Sequence, residues 1–371
     1  MNNVNYPSGV RGPMDGEAGK SFTLPSRYYF DADIYQRELQ QVFHRSWCYV
    51  GHVSQIPNPG DYYVDKIADQ CVFIMRTDEA TVKAFFNVCQ HRGHQLLNGK
   101  GNTKKRIVCP YHAWTYKIDG TLLNAPYTDK VEGFNHTEFS LKEIALANYR
   151  GMLFANLDSN APNFTSEYKG FDTTILDHLP SFEIFAIAHQ FEYEIAANWK
   201  IVVDNFSEGY HIPVAHKQLS RVLDTSANKK ATIEPRFSCF RSASKEGYAG
   251  LELEPGAPYL SWTVWPNTCM LSQPGCDNLI VIRMAPNGPT QCRERIDILT
   301  PYGEGSSNLD ALCRLFSDNF NKEDISLVES VQQGLQSLGY DQGRYVADDR
   351  NDWYSESGLH RFHLQILEAI G

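Results

Sequence analysis

Two pairs of cysteine and histidine residues stand close together in the first third of the chain. One residue separates Cys89 from His91, two separate Cys109 from His112, and seventeen lie between the pairs. Two thiolates and two imidazoles on short loops are the ligands of a Rieske-type [2Fe–2S] cluster, with the cysteines on one iron and the histidines on the other. Imidazoles leave such a cluster less negative and raise its reduction potential. The spacing therefore predicts a one-electron centre at these four residues.

A structural zinc site of the Cys2His2 type is the alternative for these residues. Zinc sites usually pair cysteine with cysteine and histidine with histidine, whereas the two kinds alternate here. Short apolar runs, Val82–Val88 and Ile107–Val108, precede the two pairs and indicate strands that would hold them on loops. The alternation of ligand types favours iron over zinc.

A second group of metal-binding side chains lies further along the chain. Asp204, Glu208 and His211 have the spacing i, i+4, i+7 and would share one face of a helix. Taken alone, this pattern is also typical of an amphipathic helix with a solvated acidic side. His216 would lie about 140° around an ideal helix from His211, but Pro213 interrupts the helix and lets the second imidazole turn back. Two imidazoles and a carboxylate hold non-heme Fe(II) for O2 chemistry.

Three segments resemble one protein family. Asn87–Gly93 and Cys109–Trp114 resemble the Rieske domain of ring-hydroxylating and demethylating non-heme iron oxygenases, and Asn198–His216 resembles the segment around their catalytic iron. Many members have glycine where this chain has Ala113, and proline or arginine where it has Gln90. Neither position supplies a metal ligand, so the predicted cluster stands. The resemblance extends over nearly the whole chain.

The resemblance implies the ligands of a mononuclear Fe(II). His211 and His216 would supply two nitrogens. Lys322–Leu335 resembles the family's C-terminal segment, which implies Asp324 as the carboxylate ligand. Glu323 is the neighbouring alternative, and both acids could instead complement the positive end of a helix.

Glu208 is expected to connect the two metal sites. In the family, an acidic residue three positions before the first iron histidine hydrogen-bonds that histidine and a cluster histidine of a neighbouring subunit, which orients both imidazoles. The resemblance therefore implies that Glu208 is an inter-subunit bridge. It also implies a homotrimer, because head-to-tail contacts close only as a ring. Asp204 and Asn205, on the same segment, are candidate supporting residues.

The resemblance also implies a reaction. Most ring-hydroxylating members have aspartate at the position of Glu208, whereas glutamate is similar to a narrower group that oxidises carnitine, glycine betaine, choline and proline betaine. The expected activity is that of a terminal oxygenase. It would use electrons from the Rieske cluster and O2 at the mononuclear Fe(II) to hydroxylate, and thereby demethylate or cleave, a small quaternary ammonium substrate.

Other functions stay open at this point. An aromatic-ring or aromatic-acid hydroxylase is the first alternative, and another demethylase the second. A stand-alone Rieske electron-transfer protein and a zinc-stapled structural protein are more distant, since both would leave His211, His216 and Asp324 without a role.

Aromatic residues in Tyr259–Asn267 are candidates for the substrate pocket. In a strand, alternate residues share a face, which gives two sets: Tyr259, Ser261, Thr263 and Trp265 on one side, and Leu260, Trp262 and Val264 on the other. Indole and phenol rings can enclose a trimethylammonium group by cation–π attraction. Aromatic residues in a strand are more commonly part of the core, so it stays open which of these rings line a pocket.

Composition excludes several classes of protein. The chain has 371 residues, of which 42% are hydrophobic and 21% charged, as expected for a globular protein with two domains. Its net charge of −10 argues against nucleic acid or an anionic membrane as partner. No apolar run approaches the roughly eighteen residues of a membrane span. The polar N-terminus lacks the pattern of a signal peptide.

Cysteine usage and missing motifs indicate the compartment and a partner. Nine cysteines are present, and the seven outside the cluster pairs are scattered, which favours reduced thiols in a cytoplasmic protein. The chain contains neither the Cys-x4-Cys-x2-Cys run of a plant-type ferredoxin nor the Gly-x-Gly-x-x-Gly of a dinucleotide fold. It is therefore expected to depend on a separate NAD(P)H-dependent flavin/iron–sulfur reductase.

Two regions of different pattern would position these residues. An amphipathic helix is predicted for Asp31–Trp47. Short β-type runs separated by turn signals follow and predict a small antiparallel β-domain: Tyr62–Val64, Gln70–Met75, Val82–Asn87, Arg106–Val108, Thr115–Ile118 and Met152–Asn156.

The rest of the chain mixes helices with longer strands. The predicted helices are Thr173–His178, Asn198–Tyr210, Asn308–Phe320 and Lys322–Leu338. The predicted strands are Glu192–Ile195, Tyr259–Val264, Leu279–Met284 and Arg293–Leu299. This order predicts an α+β fold in which helices flank an antiparallel sheet. The expected division is an N-terminal arm and helix packed on the catalytic domain (1–44), a Rieske [2Fe–2S] domain (45–160) and a catalytic mononuclear iron domain (161–371).

Overall fold

The computed structural model describes residues 12–224, 229–245, 256–274, 277–305, 307–317, 321–348 and 350–371. Internal contacts divide the chain into two compact units. One is Phe43–Phe164, and the other joins the segment that ends at Val42 to the segment that begins at Thr165. In the described part of the chain, no helix is long and apolar enough to cross a membrane.

The unit Phe43–Phe164 is built of antiparallel strands. They are β1 (Cys48–His52), β2 (Asp61–Ile67), β3 (Gln70–Arg76), β4 (Val82–Phe86), β5 (Lys100–Asn102), β6 (Arg106–Val108), β7 (Thr115–Lys117), β8 (Leu122–Asn124), β9 (Glu143–Tyr149) and β10 (Met152–Asn156). One sheet has the order β1-β10-β9-β4-β3-β2-β5 and a second has the order β6-β7-β8. Every strand predicted in this region coincides with or overlaps an observed one.

The second unit contains one large antiparallel sheet. Its strands are β11 (Phe185–Ile195), β12 (Leu223–Asp224), β13 (Thr232–Ile233), β14 (Phe237–Ser244), β15 (Pro258–Val264), β16 (Thr268–Ser272), β17 (Leu279–Pro286) and β18 (Cys292–Pro301). The order is β11-β18-β17-β16-β15-β14-β12, and β13 pairs with β14. Strands β15 to β18 are nearly continuous runs of buried residues, as expected of strands covered on both faces.

Helices and antiparallel sheets occur together in the chain, which confirms the α+β fold class. The helices are α1 (Ala32–Gln41), α2 (Phe164–Glu167), α3 (Phe171–Leu176), α4 (Trp199–Phe206), α5 (Ile212–Ala215), α6 (Lys217–Val222), α7 (Ser307–Leu315), α8 (Asn321–Leu335) and α9 (Ser357–Ile370). Short 3-10 turns occur at Ala18–Lys20, Ser26–Tyr29, Phe43–Arg45, Val53–Gln55, His136–Phe139 and Phe182–Ile184. Helix α4 contacts both strands β16 and β17 as well as helix α8.

Several predicted helices differ from the observed ones at their ends. Asp31 caps α1 by accepting hydrogen bonds from two backbone N–H groups of the first turn, as its position indicates. The helix ends at Gln41 because the chain tightens into a 3-10 turn, so the predicted extension to Trp47 is wrong. The prediction Thr173–His178 is shifted from α3 by two residues. The end of the predicted helix Asn308–Phe320, at residues 318–320, lies outside the described residues.

Helix α9 was not predicted at all. Nine of its fourteen residues are buried, and they include His360, His363 and Gln365. Its buried apolar residues Leu359, Phe362, Ile366 and Ile370 recur at helical spacing, so the sequence does carry a signal for this helix.

Helix α4 is shorter than the predicted Asn198–Tyr210. Asn198 caps its start, since its side chain accepts a hydrogen bond from the backbone N–H of Lys200. The helix ends at Phe206, and the hydroxyl of Ser207 donates to the carbonyl of Val203 at 2.6 Å. Serine competes in this way with the helical backbone and favours helix ends.

Packing against Trp353 explains why the helix does not continue. A Cβ at Gly209 would lie 1.9 Å from Cδ1 of Trp353, so only glycine fits beside this ring. The backbone N–H of Gly209 also donates to the carbonyl of Trp353 at 2.9 Å. Glu208 and His211 therefore do not extend the face of α4 that carries Asp204, which corrects the predicted single helical face.

Strand β18 fixes the start of helix α8 through a buried carboxyl group. Glu294 is 1% exposed and accepts a hydrogen bond from Nδ2 of Asn321, the first residue of α8, at 2.8 Å. Burial raises the pKa of Glu294 to about 8; the Asn321 hydrogen bond opposes this rise, and the charge of Asp324 adds to it. Glu294 is therefore mostly neutral at pH 7 and holds α8 without placing a second charge near Asp324.

We expect the substitution Glu294→Gln to change how stability depends on pH. Since the folded-state pKa lies above the unfolded value of about 4.3, the contribution of Glu294 is fully present below that pH and is lost as the pH rises to about 8. The glutamine stays neutral. The free energy of unfolding of the wild type should therefore fall relative to that of the variant by roughly 1 kcal/mol or more between pH 5 and pH 9.

Urea unfolding followed by tryptophan fluorescence at pH 5, 7 and 9 measures this difference. Glu194→Gln is the matched control, because Glu194 lies on the neighbouring strand β11 but is 59% exposed and paired with Arg293. Parallel pH profiles for the wild type and Glu294→Gln would contradict the assignment.

Candidate metal centres

The two loops that carry the Cys–His pairs have equivalent backbones. In the first, the N–H of Gly93 donates to the carbonyl of Cys89 at 3.0 Å, and the N–H of Cys89 donates to the carbonyl of His94 at 2.8 Å. In the second, Ala113 and Cys109 repeat the first bond at 3.0 Å, and Cys109 bonds the carbonyl of Trp114 at 2.8 Å. Gly93 and Ala113 both have positive φ, 74° and 57°. A glycine would adopt this conformation with less strain than Ala113 does.

The side chains of these loops separate by chemical type. Both sulfurs are nearly inaccessible, with Cys89 at 2% and Cys109 at 3% exposure, whereas His91 is exposed and His112 half-buried. The imidazole rings of His91 and His112 lie 4.6 Å apart. The ring of His91 also stacks on Trp114 at 4.8 Å. The structure therefore brings both pairs together, with thiols inside and imidazoles towards the surface.

Hydrogen bonding around these groups matches the needs of a cluster. The Tyr116 hydroxyl lies 3.3 Å from Sγ of Cys89 and accepts from the backbone N–H of Gln90 at 3.0 Å. A hydroxyl that donates to a cluster sulfur tunes its potential. In contrast, Nδ1 of His112 is buried and has no hydrogen-bond partner. A metal ion would satisfy that nitrogen, so the donor set fits a [2Fe–2S] cluster.

A second set of ligand atoms meets at the start of helix α8. His211, His216 and Asp324 each place one ligand atom within 4.8 Å of the others, which is the distance range of groups that share a metal ion. Oδ1 of Asp324 lies 2.9 Å from Nε2 of His216 and 3.9 Å from Nε2 of His211. Two imidazoles and one carboxylate, on three different turns of chain, fit a mononuclear Fe(II).

A separate carboxylate holds each histidine from its other side. Nδ1 of His211 lies 2.5 Å from Oε1 of Glu208, and Nδ1 of His216 lies 2.7 Å from Oε2 of Glu323. Such contacts fix the tautomer with the proton on Nδ1 and leave Nε2 free for a metal. Glu323, the alternative ligand next to Asp324, therefore lies behind His216 rather than in the triad.

The structure separates the two candidate supporting residues. Asn205 is at the triad, where its Nδ2 donates to Oδ1 of Asp324 at 2.8 Å. The carboxylate of Asp204 instead accepts a hydrogen bond from the hydroxyl of Tyr29 at 2.8 Å and lies 2.9 Å from Nε2 of His363. Asp204 thus has its described partners away from the triad.

The electrostatics of the triad favour a cation at its centre. Burial disfavours a charged imidazole at His216, but the hydrogen bonds and charges of Asp324 and Glu323 outweigh burial and raise its pKa. A metal ion and a proton compete for such a nitrogen, so metal binding here is coupled to proton release.

A cavity opens beside the triad and is lined largely by aromatic and apolar side chains. Its walls include Phe206, Tyr259, Leu271, Phe316 and Trp353, together with the triad itself. The rings of Tyr259 and Trp353 lie 4.6 Å apart at 40°. Nε2 of Gln273 lies 3.2 Å from the Tyr259 hydroxyl, and Gln273 also lines the cavity.

Of the three aromatic residues considered from the sequence, only Tyr259 lines this cavity. Trp262 is on the opposite face of β15 and donates to the hydroxyl of Thr174 at 3.0 Å, and Trp265 packs against Phe362. Trp353 was missed because it lies in an irregular segment between α8 and α9, where no periodic pattern indicates burial.

Two known protein families match the chain. The Rieske [2Fe-2S] domain model matches residues 46–135, and the model for the ring hydroxylating alpha subunit (catalytic domain) matches residues 182–371. The carnitine monooxygenase oxygenase subunit of Escherichia coli (strain K12) is 33% identical over 354 residues, which cover 95% of this chain and 94% of that protein. The chloroplastic choline monooxygenase of Arabidopsis thaliana is 30% identical, covering 94% and 82%.

A solved structure is similar over the same extent. It is that of a quaternary ammonium Rieske monooxygenase, described as giving insights into carnitine oxidation by gut microbiota and into inter-subunit electron transfer. It is 31% identical to this chain and covers 95% of it and 97% of its own length, with a TM-score of 0.88.

Proposed function

Since the chain belongs to the Rieske-type non-heme iron oxygenases with a ring-hydroxylating alpha-subunit catalytic domain, we propose that its substrate is a small quaternary ammonium compound. Its cofactors are a [2Fe–2S] Rieske cluster and a mononuclear iron, and O2 is the co-substrate. Carnitine, choline and glycine betaine are the candidate substrates, after its named relatives. The aromatic pair beside the triad is the observation that carries this proposal.

The ligand assignment is part of the same proposal. Cys89, His91, Cys109 and His112 hold the cluster, and His211, His216 and Asp324 hold the mononuclear iron. The orphaned Nδ1 of His112 and the clustering of the three triad atoms support these assignments. We also propose that residues 1–44 form the N-terminal arm and helix, residues 45–160 the Rieske domain and residues 161–371 the catalytic domain.

The cavity supplies what a trimethylammonium group requires. A quaternary ammonium cannot donate a hydrogen bond, so aromatic faces and negative charge are its main sources of attraction. Tyr259 and Trp353 offer two ring faces next to each other, and Asp324 and Glu208 place carboxylates in the same cavity wall. Methyl groups held against these rings would lie next to the triad, where the iron supplies the oxidising chemistry when bound.

Three side chains orient the ligands of the mononuclear iron. Glu208 and Glu323 fix the tautomers of His211 and His216, so both present a lone pair to the metal. Asn205 holds the carboxylate of Asp324 in place. The buried walls exclude water from the place of reaction, which limits side reactions.

In this proposal, a reductase and a neighbouring subunit supply the electrons. A separate NAD(P)H-dependent reductase would reduce the cluster. Exposure of His91 makes the cluster reachable from outside its own unit, and inter-subunit electron transfer is described for a similar enzyme. We therefore propose a homotrimer in which Glu208 of one subunit hydrogen-bonds a cluster histidine of the next, so that electrons pass from that cluster to the mononuclear iron held by His211. The cytoplasmic location stays a prediction.

Trp353→Leu tests the substrate proposal. We expect the KM for the best quaternary ammonium substrate to rise about tenfold, because one aromatic face of a desolvated cation–π site contributes on the order of 1–2 kcal/mol. Trp262→Phe is the matched control and should leave KM within about twofold, since Trp262 faces away from the cavity.

Product formation and O2 uptake are measured with a reductase and a panel of carnitine, choline, glycine betaine, proline betaine and aromatic acids. Turnover of aromatic acids without turnover of any betaine or choline would overturn the substrate proposal in favour of aromatic hydroxylation. An unchanged KM in Trp353→Leu would overturn the role of the aromatic pair.

Asp324→Asn tests the iron site. The wild type should contain about three iron atoms per chain, two in the cluster and one mononuclear. We expect the variant to keep the visible absorption of the cluster and to lose the third iron, because an amide is a poor ligand for Fe(II). Asp310→Asn, at an exposed position of α7, should keep all three. Full iron content in Asp324→Asn would contradict the assignment.

A further inference from the structure

A buried polar cluster joins helices α4 and α9 and has no role in the function proposed above. It consists of Tyr29, Asp204, His363 and Tyr345, and we call it the His363 cluster. Nε2 of His363 lies 2.9 Å from Oδ1 of Asp204 and 3.0 Å from the Tyr29 hydroxyl. Nδ1 of His363 lies 2.6 Å from the Tyr345 hydroxyl. The Tyr29 hydroxyl also donates to Oδ2 of Asp204 at 2.8 Å.

This arrangement lets His363 gain or lose a proton without losing a hydrogen bond. Asp204 accepts from Nε2–H in either state, since a carboxylate is only an acceptor. A neutral His363 accepts at Nδ1 from the hydroxyl of Tyr345, and a protonated one donates to the oxygen of the same hydroxyl. His363 is 2% exposed, so bulk water does not take over these bonds.

The two phenols serve as partners and not as charges. Burial and the charge of Asp204 raise the pKa of Tyr29, and burial is also the main cause that raises the pKa of Tyr345. Both hydroxyls therefore stay protonated near neutral pH. They can turn to donate or accept as His363 changes its protonation state.

The charged groups near the cluster include Lys200, Glu38 and Glu356. The ammonium group of Lys200 lies 5.4 Å from the centre of the Tyr29 ring, but it is paired with the fully buried Glu38 at 2.6 Å. The charge of Lys200 also acts on Asp204, but its ammonium group makes hydrogen bonds to Glu38 and to Asn198. Glu356, at the start of α9, adds a second carboxyl group that interacts with His363.

Other titratable groups near the cluster are a tyrosine and a second histidine. Tyr340 acts electrostatically on both Tyr29 and Tyr345. His360, one turn before His363, packs edge-to-face against Tyr345, and its Nε2 lies 2.8 Å from the carbonyl of Asp15. Burial lowers the pKa of His360, so its imidazole stays neutral near neutral pH.

A second cavity lies beside the cluster and shares two lining residues with the cavity at the triad. It has a volume of about 280 Å³ and is lined by Asp204, Glu208, Glu356 and His363 among other residues. Asn205 and Glu208 line both this cavity and the one beside the triad. Most of its lining is apolar, and Asp204, Glu208, Glu356 and His363 supply polar groups to it. Water held between Asp204 and Glu208 would carry protons towards His211, which Glu208 contacts.

We propose that the Asp204–His363 pair is a proton store for the oxygenase reaction, which takes up a proton when electrons reach the catalytic unit and releases it through the second cavity. The inference rests on the proposed function, because hydroxylation consumes protons: R–H + O2 + 2 electrons + 2 protons give R–OH + H2O. The electrons come from the reductase through the cluster, and the oxidant is O2. His363 is a positioning and proton-holding residue, not one that touches substrate.

Proton uptake on reduction tests this proposal without substrate or O2. The iron-loaded enzyme is reduced anaerobically in a weakly buffered solution, and a pH-indicator dye reports the protons taken up. His363→Gln keeps a donor for Asp204 but cannot hold a proton, so we expect its uptake to be lower than that of the wild type by up to about one proton per chain. Protons that bind at the cluster histidines contribute equally to both and cancel in the difference.

His360→Gln is the matched control, since His360 lies on the same helix, is equally buried and does not contact Asp204. Its proton uptake should equal that of the wild type. Tyr345→Phe is the second variant, which keeps His363 but removes the partner of Nδ1. We expect it to reduce proton uptake as well. Cluster absorbance and iron content establish that each variant is folded and loaded.

A kinetic measurement completes the test. In a single turnover of the reduced enzyme with O2 and substrate, His363→Gln should form product about tenfold more slowly and should lose one inflection of the wild-type pH profile. Wild-type proton uptake in both His363→Gln and Tyr345→Phe would overturn the proposal. A wild type that takes up the extra proton but oxidises none of the quaternary ammonium compounds would instead overturn the substrate assignment and support the store.

Discussion

Each histidine of the triad is held on its Nδ1 by a carboxylate, and the geometry of the metal site depends on these two contacts. Without them, the rings of His211 and His216 would rotate and would exchange tautomers. Glu208 and Glu323 come from segments that are distant in the sequence. Glu208 lies in the turn after α4, and Glu323 lies in the first turn of α8. The metal site is therefore as rigid as the packing of α8 against α4, which Glu294 and Asn321 secure from strand β18.

Trp353 links the backbone of the metal site to the shape of the pocket. Its ring leaves no space for a side chain at Gly209, and its carbonyl accepts the N–H of that residue. The chain therefore leaves the helix before Glu208, and Glu208 can turn its carboxylate to His211. The same ring forms the wall of the cavity next to Tyr259. One residue thus sets the helix end, the approach of Glu208 and the aromatic surface offered to substrate.

The sequence predicted what depends on local spacing and missed what depends on distant packing. The loops around Cys89 and Cys109 were recognisable because the ligands of each pair lie within a few residues of each other, and turn residues divide the short β-type runs around them. His211, His216 and Asp324 could be selected, and the structure places their ligand atoms within 4.8 Å. The helical face for Glu208 was wrong, because the ring that ends α4 lies about 150 residues later in the chain.

Two omissions concern helix α9 and the partners of Asp204. The apolar residues of α9 recur at helical spacing, so this helix was predictable, whereas the contact between His363 and Asp204 was not. Asp204 shares a segment with the metal ligands, yet its partners come from the N-terminal segment and from α9. Partners that are so distant in sequence are set by tertiary packing, which the spacing within one segment does not report.

The central claim is that electrons pass from the cluster of one subunit to the iron of another, and complementation between two inactive chains measures it most directly. One chain carries His91→Ala and lacks a working cluster, and the other carries His211→Ala and lacks the mononuclear iron. The two are produced with different affinity tags, and mixed assemblies are isolated through both tags. The account predicts that each chain alone is inactive and that the mixed assemblies regain a substantial fraction of wild-type turnover per intact pair. Mixed assemblies that contain both kinds of intact centre and still form no product would contradict it.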